Sequence, residues 1–335
     1  MEVTALHYGQ FLINSHFNFT GTYFAETMEA LEHDSVYRYL KAERLTPRLV
    51  WEKARQVATF CPEGYLIFDD TVLDKRYSRA IGAARRQWSG NAHDVITGIG
   101  VVNCVYYHPA LNHFWVLDYR IFDPDTDGKT KLDHVADMLK SALRRPVLFR
   151  TVLMDTWYAT TAMMRRIHDL KRVFFCPIKA NRLVDDTGGA APYRPVAQLT
   201  WSETDLARGK LVKIKKFPGA SQHRLFRVPV STDRTDYVVT NDVARDSAED
   251  AQNASCRRWT IEQLHREEKQ LTGIDRCQTR LNRSQRNHIC LATAAWLVLK
   301  EAAQRRGVSI YEQKKRPLLT FMVEQWRNPA TVFAL

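Results

Sequence analysis

No stretch of the 335-residue sequence is apolar over the roughly 20 residues that a membrane-spanning helix needs. The longest nearly apolar segment, Ile289 to Leu299, falls well short, and the opening MEVTALHYGQ lacks the basic start and apolar run of a signal peptide. The chain is therefore expected to be soluble and cytoplasmic, with no membrane partner. Cysteine is sparse: six residues, at 61, 104, 176, 256, 277 and 290, with no CxxC among them. That spacing excludes a disulfide framework and suits reduced, buried thiols. No internal repeat is present, which excludes a solenoid. Acidic residues are in deficit, 37 against 49 Lys and Arg, for a formal charge of +12. An excess of that size favours polyanions, so nucleic acid leads the partner classes.

What is present is ordinary globular composition, 45% hydrophobic and 26% charged, enough for one large domain with appendages or for two domains. Residues 1–55 have helical patterning. The stretch TGTYFAETMEALEHDSVYRYLKAERLTPR predicts two helices broken near Leu31 to His33, the second carrying Arg38 and Lys41. Two readings stay open: a helix-turn-helix presenting Arg38 and Lys41 to a DNA groove, or a plain helical hairpin packed on the main domain. Residues 56–181 carry successive strand signals, GYLIFDDTVLDK, VITGIGVVNCVYYHP and HFWVLDYRIF. After them come helix, strand, helix and strand, which predicts a mixed α/β sheet. A Gly- and Pro-containing loop opens a β-rich segment, 182–240. Helical patterning resumes over 241–306, and 307–335 forms a basic, peripheral tail.

Three carboxylates stand out by position. Asp69 and Asp155 end predicted strands, and acids there project into the crevice where α/β sheets do their chemistry. Glu262 lies in RRWTIEQLHREEK. At about 100° per residue, Arg258, Glu262 and Lys269 share one line of a helix, drifting by roughly 40° and 20°. Alone, the stripe is an amphipathic helix with a solvated charged face, and either strand-end Asp is a turn former or helix cap. Together, three oxygen ligands would hold hard cations such as Mg²⁺. Two such ions about 4 Å apart would serve phosphodiester cleavage. The stretch DPDTDGKTKLDH imitates a calcium-binding loop, but His134 stands where the bidentate Glu belongs. A strand-to-helix turn is expected there, with Thr130 and Asp133 at the start of the next helix.

The segments LIFDDTVLDK, VLMDTWYAT and RRWTIEQLHREEKQLTGIDRCQTR resemble the three catalytic blocks of DDE transposases of bacterial insertion sequences. The similarity is to the group with a Tyr-x2-Arg-x3-Glu-x6-Lys signature. Arg258, Glu262 and Lys269 match its spacing, and Ser255 departs from it at the Tyr position. The flanking RW-x-IE and RNHICLATAAW also look like the group's context, so the resemblance runs from about Gly64 to Ala303. It implies an α/β, RNase H-like mixed sheet with flanking helices and a β-rich insertion, beside the helical, possibly helix-turn-helix, N-terminal region. It implies that Asp69, Asp155 and Glu262 bind two Mg²⁺ ions, with Mn²⁺ able to substitute. Asp70 rivals Asp69 as first ligand, and the family's Asp-any-Thr block favours Asp69. Water would cut at the element's ends and a 3′-hydroxyl would attack target DNA. The implied partner is double-stranded DNA, as terminal inverted repeats and target, bound by a homodimer. Arg258 and Lys269 would hold phosphates. Lys75, Arg76, Arg79, Arg85 and Arg86 would track the backbone or form an ordinary basic surface. Trp201 resembles a tryptophan that holds a flipped base, with core packing as the plainer reading. The competing functions are a related nuclease without strand transfer and a transposase-derived DNA-binding protein.

Overall fold

Twelve α-helices and eleven strands form among the described residues of the computed structural model, which are 2–28, 31–78, 80–219, 221–231 and 234–330. Four helices come first: α1 (Ala5–Asn14), α2 (Gly21–Thr27), α3 (His33–Ala42) and α4 (Pro47–Val57). Strands β1 (Tyr65–Asp74), β2 (Arg85–Ser89), β3 (Asp94–His108) and β4 (His113–Phe122) follow. Next are the one-turn α5 (Pro124–Asp127), α6 (Lys131–Arg144), β5 (Thr151–Met154), α7 (Thr161–Asp169) and β6 (Val173–Ile178). The β-rich segment contains β7 (Leu183–Asp185), β8 (Arg194–Pro195), α8 (Glu203–Arg208), β9 (Lys210–Ile214), β10 (His223–Ser231) and β11 (Arg234–Thr240). The chain ends with α9 (Ala248–Arg258), α10 (Thr260–Glu267), α11 (Asn282–Arg306) and α12 (Ile310–Arg327). None of these helices is long and apolar enough to cross a membrane.

The chain divides into two units, one comprising Met1–Val57, Val72–Gly100 and Leu264–Leu335, the other Ala58–Thr71 and Val101–Gln263. The second carries a mixed sheet. Parallel pairs β1–β5 and β5–β6 lie at its centre, then antiparallel β11, β10 and β9, with β7 and β8 beyond. On the other side β3 neighbours β1 and pairs with β4. Parallel strands are covered on both faces, so they need near-continuous apolar runs. Leu66, Ile67, Phe68, Leu153, Met154 and Phe174 meet that need and are buried. A Cβ at Gly64 would fall 2.2 Å from the Tyr106 hydroxyl, so only glycine lets β3 approach the start of β1. The calcium-loop imitation is the turn expected for it. Thr130 and Asp133 form a reciprocal capping box that starts α6.

The first unit is helical around α11, whose Ile289, Cys290, Ala292 and Trp296 are buried against α1, α3, α4 and α12. Asn287 on α11 is 1% exposed. Its amide accepts from Leu45 N (2.9 Å) and donates to the carbonyls of Leu40 (2.8 Å) and Glu43 (2.7 Å), closing the end of α3. In this unit α3 buries Val36, Tyr39 and Leu40 and turns Arg38 and Lys41 to solvent. The tail after Gly307 is mostly the helix α12, begun by a Ser309–Glu312 capping box. All six cysteines are free thiols.

Candidate active site

Register places the first two acids. Phe68 of β1 lies opposite Met154, the last residue of β5, in a parallel pair of strands about 4.8 Å apart, so Asp69, which lies within β1 rather than at its end, and Asp155 are the next residue on each side. Asp155 stands just beyond the end of β5. Its carboxylate accepts from the backbone N–H groups of Trp157 (2.9 Å) and Tyr158 (3.0 Å), an Asx-type turn that fixes it in place. Glu262 comes in on the first turn of α10, half-buried.

Asp69 is 8% exposed. Burial first, then the charges of Asp155, Asp70 and Glu262, hold its carboxyl well above the usual carboxylate range. Burial raises Asp155 too, against its backbone hydrogen bonds and the guanidinium of Arg258. Three carboxylates thus act on Asp69, and the guanidinium of Arg258 acts on Asp155.

Asp70 is engaged differently. Its carboxylate accepts from Lys131 Nζ at 2.5 Å and from the Tyr158 hydroxyl at 2.6 Å. Lys131 also lies 5.5 Å from the Phe122 ring centre and 6.0 Å from that of Trp157. Lys131 and Tyr158 escaped the sequence reading. Tyr158 stands three residues after Asp155, a weak signal, and Lys131 had none, being 61 residues from Asp70. Arg257, beside the signature Arg258, places its guanidinium 4.7 Å over the Tyr65 ring and donates to the Tyr65 hydroxyl. That contact ties the end of α9 to the start of β1.

The single helix expected for RRWTIEQLHREEK does not form. The chain tightens at Trp259, whose carbonyl accepts from both Glu262 N (3.1 Å) and Gln263 N (3.2 Å). It then widens into a π-helical turn over Glu268–Thr272 that holds Lys269. Both departures change the angular step per residue, so a constant 100° does not carry Arg258 to Lys269. Arg258 ends α9, over the Trp259 ring at 5.5 Å. Glu267 and Glu268, off the expected line, are both buried.

Asp69, Asp155, Glu262 and Arg258 come together in the second unit. Trp201 belongs to the same unit and stacks on Tyr237, with ring centres 6.4 Å apart. Arg38, Lys41, Lys269, Arg85 and Arg86 belong to the first unit. There β2 pairs antiparallel with β3 and leaves Arg86 exposed and Arg85 half-buried. Lys75 is a correction. It is 6% exposed and donates to the carbonyls of Asp275 (2.7 Å) and Cys277 (2.6 Å), so it pins the loop after the π turn rather than tracking DNA. Arg76 pairs with Asp74, and Arg79 lies outside the described residues.

Among the described residues no group of three or more His, Cys, Asp or Glu side chains is placed to hold a metal ion. The donor chemistry of Asp69, Asp155 and Glu262 nevertheless suits hard divalent cations. All donors are carboxylate oxygens, they repel one another, and Asp70 is already matched by Lys131.

A comparison with curated proteins finds no match. Among solved structures, the chain is similar to a piggyBac transposase in a cryo-EM synaptic complex with hairpin DNA. The TM-score is 0.51 at 11% sequence identity, covering 98% of this chain and 73% of that one. That likeness is one of fold, and it agrees with an RNase H-like mixed sheet flanked by helices. The family model described as "Transposase DDE domain" matches residues 62–298, an interval that contains Asp69, Asp155 and Glu262. With most of its length matched, the chain belongs to the DDE transposase family.

Proposed function

We propose that the protein cuts the ends of a mobile DNA element and joins them to target DNA, with Asp69, Asp155 and Glu262 as the catalytic carboxylates. The observation that carries this reading is that Asp69 and Asp155 directly follow the last residue pair of the parallel strands β1 and β5, with the charges of Asp155 and Glu262 both acting on Asp69. Asp69 takes the first position and Asp70 anchors, because Asp70 is already bound by Lys131 and Tyr158. The three carboxylates would hold two divalent cations, Mg²⁺ or in its place Mn²⁺, which supply Lewis acidity and charge neutralisation to phosphodiester chemistry. Arg258 and Lys269 would grip DNA phosphates, and Arg85 and Arg86 would bind the DNA backbone. Arg38 and Lys41 on the exposed face of α3 would make residues 1–55 a DNA-binding region, with 182–240 as the insertion and 307–335 as an appendage. A homodimer would bring two element ends together.

The test is direct. Purified protein with Mg²⁺ should cut DNA carrying the inverted repeats that flank its gene and yield joined product. Asp155→Ala and Glu262→Ala should abolish cutting while leaving DNA binding. Normal cutting by either variant removes the assignment, and cut ends without joined product make the protein a nuclease.

A further inference from the structure

In the first unit, the π turn that carries Lys269 is knotted at one residue, Glu268. The Glu268 carbonyl accepts from Gly273 N, from Ile274 N at 3.3 Å and from the Thr272 hydroxyl at 3.1 Å. The first of these is the i to i+5 bond that makes the turn π rather than α. The far end is fixed as well. Gly273 has a left-handed backbone, φ 61°, and a Cβ there would run into the Phe19 ring. Its carbonyl takes the bond from His288 Nε2 at 2.9 Å. Lys269, half-buried, lies between these two fixed ends.

The two glutamates before Lys269 are held differently. Glu267 accepts from Trp296 Nε1 at 2.9 Å and from Lys300 Nζ at 3.3 Å, both on α11. Glu268 is 1% exposed, and neither of its carboxyl oxygens has a hydrogen-bond partner. The Thr293 hydroxyl of α11 faces it, yet that hydroxyl too is buried outside hydrogen-bond geometry. The charges acting on Glu268 are Lys269, on the turn itself, and Glu267, at the end of α10. Around them, α10 adds the buried His265, and α11 adds the buried His288 and Lys300, which Glu267 holds. From α12, Tyr311 bonds Gln270, and α1, which also packs on the turn, has no Lys, Arg, Asp or Glu. An isolated carboxylate is costly to bury, so such a group stays protonated or leaves. Burial accordingly raises the Glu268 carboxyl from the ordinary 4.5 to about 7. A leucine or methionine would fill the same seat without that cost, so an acid makes it a seat that can be vacated.

We propose that Glu268 is a positioning residue for Lys269: its carboxyl, seated against α11, keeps the π turn closed and Lys269 presented to a DNA phosphate. Release of the carboxyl opens the turn and withdraws Lys269. The inference rests on the reading of Lys269 as a phosphate contact. The released carboxyl titrates near 4.5 and the seated one near 7. Raising the pH between those values therefore shifts the balance towards the open turn, and above 7 the shift levels off.

The experiment uses the full chain and a short DNA duplex at fixed, low ionic strength. The Kd of Lys269→Ala divided by that of the wild type separates Lys269 from every other group that titrates. This ratio should be about tenfold near pH 5.5 and fall to about threefold near pH 8. In a Glu268→Gln background, which cannot ionise, it should stay about tenfold throughout. Glu268→Met should do the same, and it serves if the amide disturbs the packing. In the free protein, amide exchange over 269–274 should quicken in the wild type relative to Glu268→Gln as pH rises through the same window. A ratio that is constant with pH in the wild type, or that falls equally in both Glu268 variants, would overturn the proposal. A normal effect of Lys269→Ala with exchange indifferent to Glu268 would overturn the positioning role alone. If Lys269→Ala binds as tightly as the wild type at every pH, the phosphate reading of Lys269 fails, whatever the exchange shows.

Discussion

The Tyr158 hydroxyl donates to the Asp70 carboxylate at 2.6 Å, joining residues 88 apart in the chain. The turn that presents Asp155 is thereby tied to the strand that presents Asp69. Lys131 completes the anchor from the start of α6. One of two consecutive aspartates is spent on structure, and the other is left among like charges.

Tyr158→Phe should therefore cost stability as well as activity. A buried hydrogen bond to a charged acceptor contributes about 2 kcal/mol. Urea unfolding should register a loss of that order, and end cleavage should fall about tenfold as Asp155 loosens. Lys131→Met should cost about 3 kcal/mol or more, since it leaves Asp70 part-buried without its cation. A Tyr158→Phe variant neutral in both assays would show that the anchor does not position the acids.

Asn287 is the next point of leverage. One amide closes three backbone groups at the end of α3, one buried and two part-buried, and alanine would remove their partner. Asn287→Ala should destabilise by about 3 kcal/mol, with amide exchange rising first in α3. Protection in α3 unchanged from wild type would contradict this account.

Acid should loosen the helical unit through His288. The ring is fully buried and its Nε2 lies 2.9 Å from the Gly273 carbonyl, which can only accept. The proton therefore sits on Nε2, and Nδ1 accepts from the Tyr8 hydroxyl at 2.8 Å. Burial lowers the pKa of His288 to about 4. The unfolded chain binds this proton near pH 6.5 and the folded chain near 4, so stability is intact above 6.5 and declines as pH falls towards 4. The loss from this one group is about 3 kcal/mol. Thermal melts from pH 7 to 4 should decline steeply, and His288→Gln should flatten that decline while lowering stability at pH 7. An equally steep decline in the variant would assign it to other groups.

Arg258 and Lys269 should behave as phosphate contacts. Arg258→Ala and Lys269→Ala should each weaken DNA binding irrespective of sequence and reduce the salt slope by about one. Arg258→Lys should restore part of the slope and little cleavage, because lysine cannot form the bidentate fork. An unchanged slope in Lys269→Ala would return that lysine to the solvated surface.

The sequence by itself determined many of the elements and the candidate acids they carry. The apolar run before Asp155 set β5, the run before Asp69 set only the first part of a strand that continues to Asp74, Thr130 and Asp133 marked the start of α6, and the spacing of Arg258 and Glu262 marked the third candidate acid. These are local signals, because strand burial, capping and motif spacing are fixed by neighbours along the chain. Tertiary structure decided which of the two consecutive aspartates is anchored. Lys131, Tyr158 and Asp70 meet only once β1, β5 and α6 are packed, and no local pattern encodes that meeting. It also set the departures from a uniform helix at Trp259 and at 268–272, where packing overrides the period on which the stripe from Arg258 to Lys269 depends. Lys75 is the same lesson in a single residue: a cation in a basic stretch, buried because two carbonyls 200 and 202 residues away need a donor.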